Sequence, residues 1–447
     1  MASETIRWNP NQLVMGAVIH AEQPISNLKF HRNGQYLVST TDNSVILTDS
    51  LSGKEKKRIN CKTHGVGRAA YTHHDSCIIV SGDRKQHDIR YLCLYDNRYI
   101  RSYEGHTTRV SSLSMCPTDD HFLSASDGGE DSCVLLWDLN VSNPVAKLKL
   151  PNSAEHVRVA YDDSGLIFGV MSVTGSSHSI KLYDARNYGK GPFQDIAPQS
   201  TVPRHSATGG YAMPTSFVDL ALRRAYTALN SRATEAVGEG VFSLPSVSQP
   251  SSALLDQVHR HNASGVVWED LQFNIDGSQM LVNCCALGVE SSAGAVLVLD
   301  GFKSDVEPAA ILRRKASSGG AAAAATGEVV AHRTSSKDKD RDKALMLGAC
   351  FSSDSRHVLV GNEENEINTY EVSAGGSDSM NSMNSFGSGS STNSIDNANT
   401  ISCKHVSTLL GHTSPVGCIA ANPKYDVVAS ACRSTSLWVH NSNSTSQ

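Results

Sequence analysis

The chain lacks most of what the common functional classes require. No stretch of its 447 residues approaches the ~18 consecutive apolar residues of a membrane span, and the opening Met1-Ala2-Ser3-Glu4-Thr5 has no basic segment leading into an apolar core. Neither a spanning helix nor an export signal is therefore expected. Eleven cysteines, an odd number, are scattered without a Cys-x-x-Cys pair, which argues for reduced thiols; the adjacent Cys284-Cys285 fit a buried strand better than a bridge. The net charge of -5 supplies no overall basic field for nucleic acid, so direct sequence-specific binding of nucleic acid is not expected. There is no Gly-x-x-x-x-Gly-Lys-Ser/Thr, no His-Glu-x-x-His and no Gly-x-Ser-x-Gly. The close histidine groups, His73-His74 and His259 with His261, are no more than eighteen histidines in the chain produce by chance, and neither is read as a zinc site. Catalytic residues, cofactor, metal and small-molecule substrate are all read as none.

What the chain does have is a repeat. Gly105-His106 is followed by alternating apolar sequence and then by Trp137-Asp138, and related pairs recur as Thr48-Asp49, Tyr95-Asp96, Tyr183-Asp184, Leu299-Asp300 and Tyr370-Glu371, with Trp438 alone in the last copy. The first steps between them, 47, 42 and 46 residues, each fit one unit of about 40–45 residues, and the later ones fit a unit plus an insertion. Upstream of the markers, Leu28-Lys29-Phe30, Leu113-Ser114-Met115, Leu271-Gln272-Phe273 and Ala349-Cys350-Phe351 alternate at the period of a strand and run into a turn. This pattern resembles the WD repeat. The resemblance implies an all-β chain, a seven-bladed WD40 β-propeller, because a four-stranded blade cannot bury both faces of its sheet alone and must stack in a ring. The last copy supplies only three strands, at Val416 to Ile419, Val427 to Ser430 and Leu437 to Val439, so Leu13 to Ile19 is expected to close the ring from the N-terminus.

Within the best-preserved copy, His106, Ser124 or Ser126, Asp131 and Trp137 stand where WD blades build a buried chain of hydrogen bonds from carboxylate through imidazole and hydroxyl to indole. Asp131 lies six residues before Trp137, as that motif requires. In the last copy Gly411-His412 and Trp438 are present, but Cys432 takes the place of the acid, so that network is expected to be incomplete. Three insertions are read between blades. Residues 197–262 are partly helical, with Ser216-Phe217-Val218-Asp219 resembling a capping box ahead of an apolar face of Val218, Ala221, Leu222, Ala225 and Leu229. That helix packs on the rim or binds a partner, and an extra degenerate blade is a further reading. Residues 315–343, with alternating Lys/Arg and Asp, read as a low-complexity linker, next to a weak basic patch at Arg313-Arg314-Lys315. Residues 373–400, rich in Ser, Asn and Gly, read as disordered and open to phosphorylation.

A narrower resemblance covers most of the chain outside the insertions. Lys62 to Val66, Arg68 to His73, Asp88 to Leu92, Leu94 to Arg101, Lys181 to Arg186, Lys190 to Phe193, Asn422 to Lys424 and Ala429 to Cys432 are similar to runs in the WD-repeat subunit of COMPASS-type histone methyltransferase complexes. Asp96-Asn97-Arg98-Tyr99-Ile100-Arg101 and Lys190-Gly191-Pro192-Phe193 are not general propeller requirements, so they mark this family among WD proteins. The resemblance implies a non-enzymatic nuclear adaptor. Its implied partners are a SET-domain methyltransferase complex acting on histone H3, a phosphatase-containing complex of transcription termination and RNA 3′-end processing, and the phosphorylated tail of RNA polymerase II. Arg90, Arg98, Tyr99 and Arg101 are the candidate partner surface, with capping of blade edges as the competing role. A general WD adaptor, such as a substrate receptor of a ubiquitin ligase, is the alternative, and a propeller enzyme with a central-channel site comes third.

Overall fold

A computed structural model describes residues 8–84, 87–127, 132–150, 154, 156–174, 177–196, 266–286, 295–300, 310–313, 347–362, 364–373 and 402–441. Strand β1 (Leu13–His20) follows a short 3-10 turn, Pro10–Gln12, capped by the Asn9 side chain. Blade 1 then comprises β2 (Ile25–Phe30), β3 (Tyr36–Thr41), β4 (Ser44–Asp49) and β5 (Lys54–Asn60). Blade 2 comprises β6 (Ala69–Tyr71), β7 (Cys77–Ser81), β8 (Ile89–Cys93) and β9 (Arg98–Tyr103). Blade 3 is β10 (Val110–Met115), β11 (His121–Ser126), β12 (Cys133–Asp138) and β13 (Ala146–Lys149). Blade 4 is β14 (His156–Tyr161), β15 (Ile167–Thr174), β16 (Ser177–Asp184) and β17 (Gln194–Ile196). Blade 5 holds β18 (Val266–Phe273), β19 (Gln279–Ala286), β20 (Ala295–Asp300) and β21 (Ala310–Arg313), and blade 6 holds β22 (Ala349–Phe351), β23 (His357–Gly361), β24 (Ile367–Ser373) and β25 (Ser402–Leu409). Blade 7 is β26 (Cys418–Ala421), β27 (Val427–Ala431) and β28 (Ser434–His440), with β1 as its fourth, outermost strand.

The ring is closed as the sequence implied. β1 runs antiparallel to β28 from Leu13 opposite His440 to His20 opposite Ser434, so the first strand of the chain completes the sheet of the last blade. The middle strands carry long apolar runs because both their faces are covered by neighbouring blades: β7 is Cys-Ile-Ile-Val-Ser and buried throughout. The outer strand of blade 1 is polar, the Lys-Glu-Lys-Lys-Arg of β5, because its outer edge meets solvent. Innermost strands β2, β10 and β18 share a bulge near their start, between Ile25 and Asn27, Val110 and Ser112, and Trp268 and Asp270.

No blade owns its core. Among the described residues most of the buried apolar side chains fall into seven clusters, and each spans one junction between neighbouring blades. Ile78 and Val80 of blade 2 pack with Val38 and Val45 of blade 1, and Leu37 and Ile46 of blade 1 pack with Val427, Ala429 and Leu437 of blade 7. Trp8, ahead of β1, wedges into the junction of blades 6 and 7 beside Leu359, Ile367 and Trp438, with its ring centroid 4.6 Å from that of His357.

Two sequence expectations need correction. The third insertion does not lie between blades: β24 and β25 pair in one sheet, so residues 374–401 are an excursion within blade 6. Tyr95-Asp96 is not the strand-ending marker of blade 2 either. Phe122 pairs with Trp137 in blade 3, and the matching pair in blade 2 is Ile78 with Leu92. The first residue past the marker confirms the register: Leu94 N–H donates to Ser76 O as Leu139 N–H donates to Asp120 O. Leu92-Cys93 holds the marker position, and Tyr95, beyond the strand, is 84% exposed where Trp137 is wholly buried. The expected helix around Val218 to Leu229, and any extra blade within 197–262, lie outside the described residues, as do residues 315–343.

Removing residues 1–20 takes away β1 together with Trp8, Leu13 and Ile19, baring the β28 edge and two apolar junctions. The truncated chain is expected to lose its single cooperative melting transition in calorimetry, and an unaltered transition would refute ring closure by β1.

Candidate functional site

The two Gly-His blades carry buried hydrogen-bond relays. In blade 3 the Trp137 indole Nε1–H donates to Ser124 Oγ at 2.8 Å, which leaves the Ser124 hydroxyl to donate to His106 Nε2, 2.6 Å away. Of the two serines considered from sequence, Ser124 is the bridge; Ser126 Oγ lies 3.9 Å from Cys133 Sγ instead. Asp131 lies outside the described residues, so its place at the end of this relay remains a proposal. Burial, then the charges of Lys147 and His87, pull the His106 imidazole down to about 4, and it accepts from serine as a neutral ring. The motif's glycine has a steric cause: a Cβ on Gly105 would sit 3.0 Å from the Trp137 ring and 3.1 Å from Leu135.

Blade 7 repeats this geometry with a sulfur terminus. Trp438 Nε1–H donates to Ser430 Oγ at 2.7 Å, His412 Nε2 lies 2.6 Å from the same oxygen, and His412 Nδ1 is 3.3 Å from Cys432 Sγ. The expectation that this network is incomplete is therefore wrong, since both ring nitrogens of His412 have partners. Burial alone would raise the Cys432 thiol, but hydrogen bonds from His412, Ser414 and the backbone of Ser434 outweigh it and bring it to about 5. A thiolate accepting from Nδ1–H thus does in blade 7 what a carboxylate does in a WD relay. Sequence reasoning missed this because it counted only carboxylates as acids, although Cys432, six residues before Trp438, has the spacing of Asp131 to Trp137.

Blade 1 shows what is left when the indole is absent. By register Thr48 occupies the Trp137 position and Ser39 the Ser124 position. Both are fully buried, and neither Ser39 Oγ nor Thr48 Oγ1 has a protein hydrogen-bond partner.

The four candidate surface residues separate by position. Arg90, on β8, pairs through Nε with Asp88 Oδ2 at 2.7 Å and lies over the Tyr99 ring, 5.1 Å from its centroid. Arg101 donates to Leu139 O of blade 3, and Tyr103 Oη donates to the same carbonyl at 2.8 Å, so Arg101 ties two blades together. Tyr99 Oη donates to Cys61 Sγ at 3.6 Å, yet the residue stays 38% exposed; Arg98 is exposed at the start of β9. The turn ahead of β9 depends on Asn97 at φ +60°, a conformation that asparagine tolerates better than most residues. At the other distinctive run, Phe193 is 57% exposed on the outer side of blade 4. Among the described residues no three His, Cys, Asp or Glu side chains form a group able to hold a metal ion, no helix is long and apolar enough to cross a membrane, and the cysteines are free.

These relays and the closed ring of four-stranded sheets define a WD-repeat β-propeller, and the WD domain, G-beta repeat family matches residues 16–49, 97–138 and 403–441. Within that class the chain is similar to WD repeat-containing protein 82 of Drosophila melanogaster, 38% identical over 170 residues, covering 38% of this chain and 51% of that protein. It is also similar to Set1 complex component swd2 of Schizosaccharomyces pombe, 34% identical over 200 residues, covering 44% of this chain and 52% of that protein. COMPASS component SWD2 of Saccharomyces cerevisiae is 35% identical over 171 residues, covering 38% of this chain and 50% of that protein. The resemblance to the COMPASS-type WD-repeat subunit is thus borne out, and the chain spans about half the length of the relatives it matches.

Two substitution series test the relays by thermal and urea melts. Ser124→Ala strands both His106 and Trp137 and is expected to cost about 1–3 kcal/mol, whereas Ser39→Ala removes an unpaired hydroxyl and is expected to be neutral or stabilising. Equal costs would refute the difference between the blades. Cys432 has a folded pKa of about 5, below the ~8.5 of an unfolded thiol, so its stabilisation is full above the unfolded value and lost as pH falls through about 5. The penalty of Cys432→Ala is therefore expected to be larger at pH 8 than at pH 5, with Cys432→Asp retaining most of the wild-type stability. A pH-independent penalty would count against the thiolate.

Proposed function

We propose that this chain is a non-enzymatic scaffold subunit of a nuclear COMPASS-type complex that methylates lysine on histone H3. The observation that carries the reading is that relatives 34–35% identical to it are named as a Set1 complex component and a COMPASS component. The architecture suits the role: a rigid ring presents loops from several blades at once, so partners are bound on a surface rather than in a reactive pocket. The relays also suit it, since His106 and His412 are occupied by structural partners. A finer part of the proposal is membership in a phosphatase-containing complex of transcription termination and RNA 3′-end processing, together with contact to the phosphorylated tail of RNA polymerase II. Exposed Arg98, Tyr99 and Phe193, on runs that distinguish this group of WD proteins, are the proposed partner contacts.

Affinity purification of the tagged chain from nuclear extract, with and without residues 374–400, tests the assignment. A SET-domain methyltransferase with its core subunits, or a nuclear phosphatase with 3′-end processing factors, is the expected harvest. Recovery of a ubiquitin-ligase core, or of cytoplasmic partners alone, would overturn it.

A further inference from the structure

The charge of this protein is segregated. The outermost strand of blade 1, β5, carries four cations, Lys54, Lys56, Lys57 and Arg58, against the single anion Glu55. The outermost strand of blade 2, β9, adds Arg98 and Arg101 with no acid, and that of blade 3, β13, adds Lys147 and Lys149 with no acid. The other blades differ: β1 has no Lys, Arg, Asp or Glu, β17 has one aspartate, β21 one arginine, and β25 one lysine. A chain of net charge -5 thus concentrates cations on the outer wall of three consecutive blades.

That wall is continuous. Lys57 Nζ donates to Leu94 O at 2.7 Å and Tyr95 O at 2.6 Å, joining blade 1 to blade 2, and Arg101 and Tyr103 both donate to Leu139 O, joining blade 2 to blade 3. Some cations are engaged locally: Arg58 pairs with Glu55 at 2.8 Å, Lys56 with Asp49 at 3.4 Å, and Asp96 lies beside Arg98. Lys54, Arg98, Lys147 and Lys149 present their side chains to solvent. Between them stand aromatic rings. Tyr95 is 84% exposed, its backbone fixed by Lys57, and the half-exposed Tyr99 is backed by the Arg90 guanidinium.

Cations alone would suit any polyanion, but exposed tyrosines set among them match a chain that offers phosphates and unpaired π-faces together, since base stacking and phosphate neutralisation are the two terms of single-strand binding. A duplex hides its base faces, and a purely acidic peptide such as polyglutamate has none to stack. We propose that the outer wall of blades 1–3 is a docking track for single-stranded RNA, with Lys54, Arg98, Lys147 and Lys149 on phosphates and Tyr95 under a base. Binding is independent of sequence, because the wall supplies charge and a ring face rather than a set of base-edge contacts. The choice of RNA over single-stranded DNA rests on the chromatin setting proposed above, where nascent transcript is the single strand at hand.

Fluorescence anisotropy of the purified full chain with a labelled 20-residue oligouridylate, titrated across salt, tests this without any partner protein, so its outcome is separate from complex membership. The chain is expected to bind, and the combined Lys54→Glu, Arg98→Glu, Lys147→Glu and Lys149→Glu variant is expected to bind at least tenfold more weakly. Its log–log salt slope should be flatter by about 3, which corresponds to four lost phosphate contacts. Lys404→Glu on blade 6 should change neither. Tyr95→Ala, whose exposed ring the fold does not need, should weaken binding about tenfold at unchanged slope. Absence of binding in 50 mM salt, tenfold tighter binding of oligodeoxythymidylate or of duplex RNA, or displacement by polyglutamate with no effect of Tyr95→Ala would each overturn the proposal.

Discussion

Everything in this protein depends on the ring being shut. Each of the seven apolar clusters is shared by two blades, so a blade with an open flank exposes its half of the core at that junction. Six blades take all four strands from one stretch of chain, whereas blade 7 borrows its outer strand from the other end of the molecule through the β1–β28 pairing. The closure is reinforced where it is topologically most demanding. Trp8 wedges into the junction of blades 6 and 7, Asn9 N–H donates to His440 Nε2 at 3.3 Å, and Asn422 Nδ2–H donates to Gly34 O at 2.7 Å across the junction of blades 7 and 1. Gly34 adopts φ +74°, and a Cβ there would fall 2.4 Å from Asn422 Oδ1, so both backbone conformation and close approach exclude a larger residue.

Much of this was legible in the chain because a propeller repeats its physics. Alternation at period two marks strands, a turn ends them, and a single marker recurring at one spacing sets the blade count. The closing strand was legible by subtraction, since the last copy ran out one strand short. What misled was a marker read by residue type instead of register: Tyr95-Asp96 looks like Trp137-Asp138, but Leu92-Cys93 is what faces the core. With Leu92 in that place the first three steps become 44, 45 and 46 residues, more regular than the steps taken through Tyr95. The third insertion was misplaced for a related reason: the sequence repeat ends at the marker, while the blade ends one strand later.

The surface was legible only in part. Arg90, Arg98, Tyr99 and Arg101 are adjacent in sequence or nearly so, but strand geometry gives them different neighbours. Arg90 and Arg101 are drawn into contacts with Asp88, Tyr99 and Leu139, while Arg98 and much of Tyr99 remain available. Composition concealed the wall more thoroughly. A net charge near zero is a sum over faces, and only the assignment of β5, β9 and β13 to consecutive outer edges brings their cations to one side.

The relays show how far a repeat drifts while its ring is kept. Blade 3 and blade 7 keep histidine, serine and indole, and in blade 7 His412 Nδ1 meets the thiol of Cys432, whose pKa its hydrogen bonds draw down to about 5. Blade 1 has gone further, exchanging the indole for Thr48 while retaining Ser39 in place, so two hydroxyls stay buried without partners. Each such group costs about 1–3 kcal/mol in an apolar setting, a penalty that an isolated small domain would struggle to absorb. A closed ring tolerates it because blade 1 is packed on both flanks, Leu37 and Ile46 against blade 7 and Val38 and Val45 against blade 2, by neighbours whose positions the other junctions already fix.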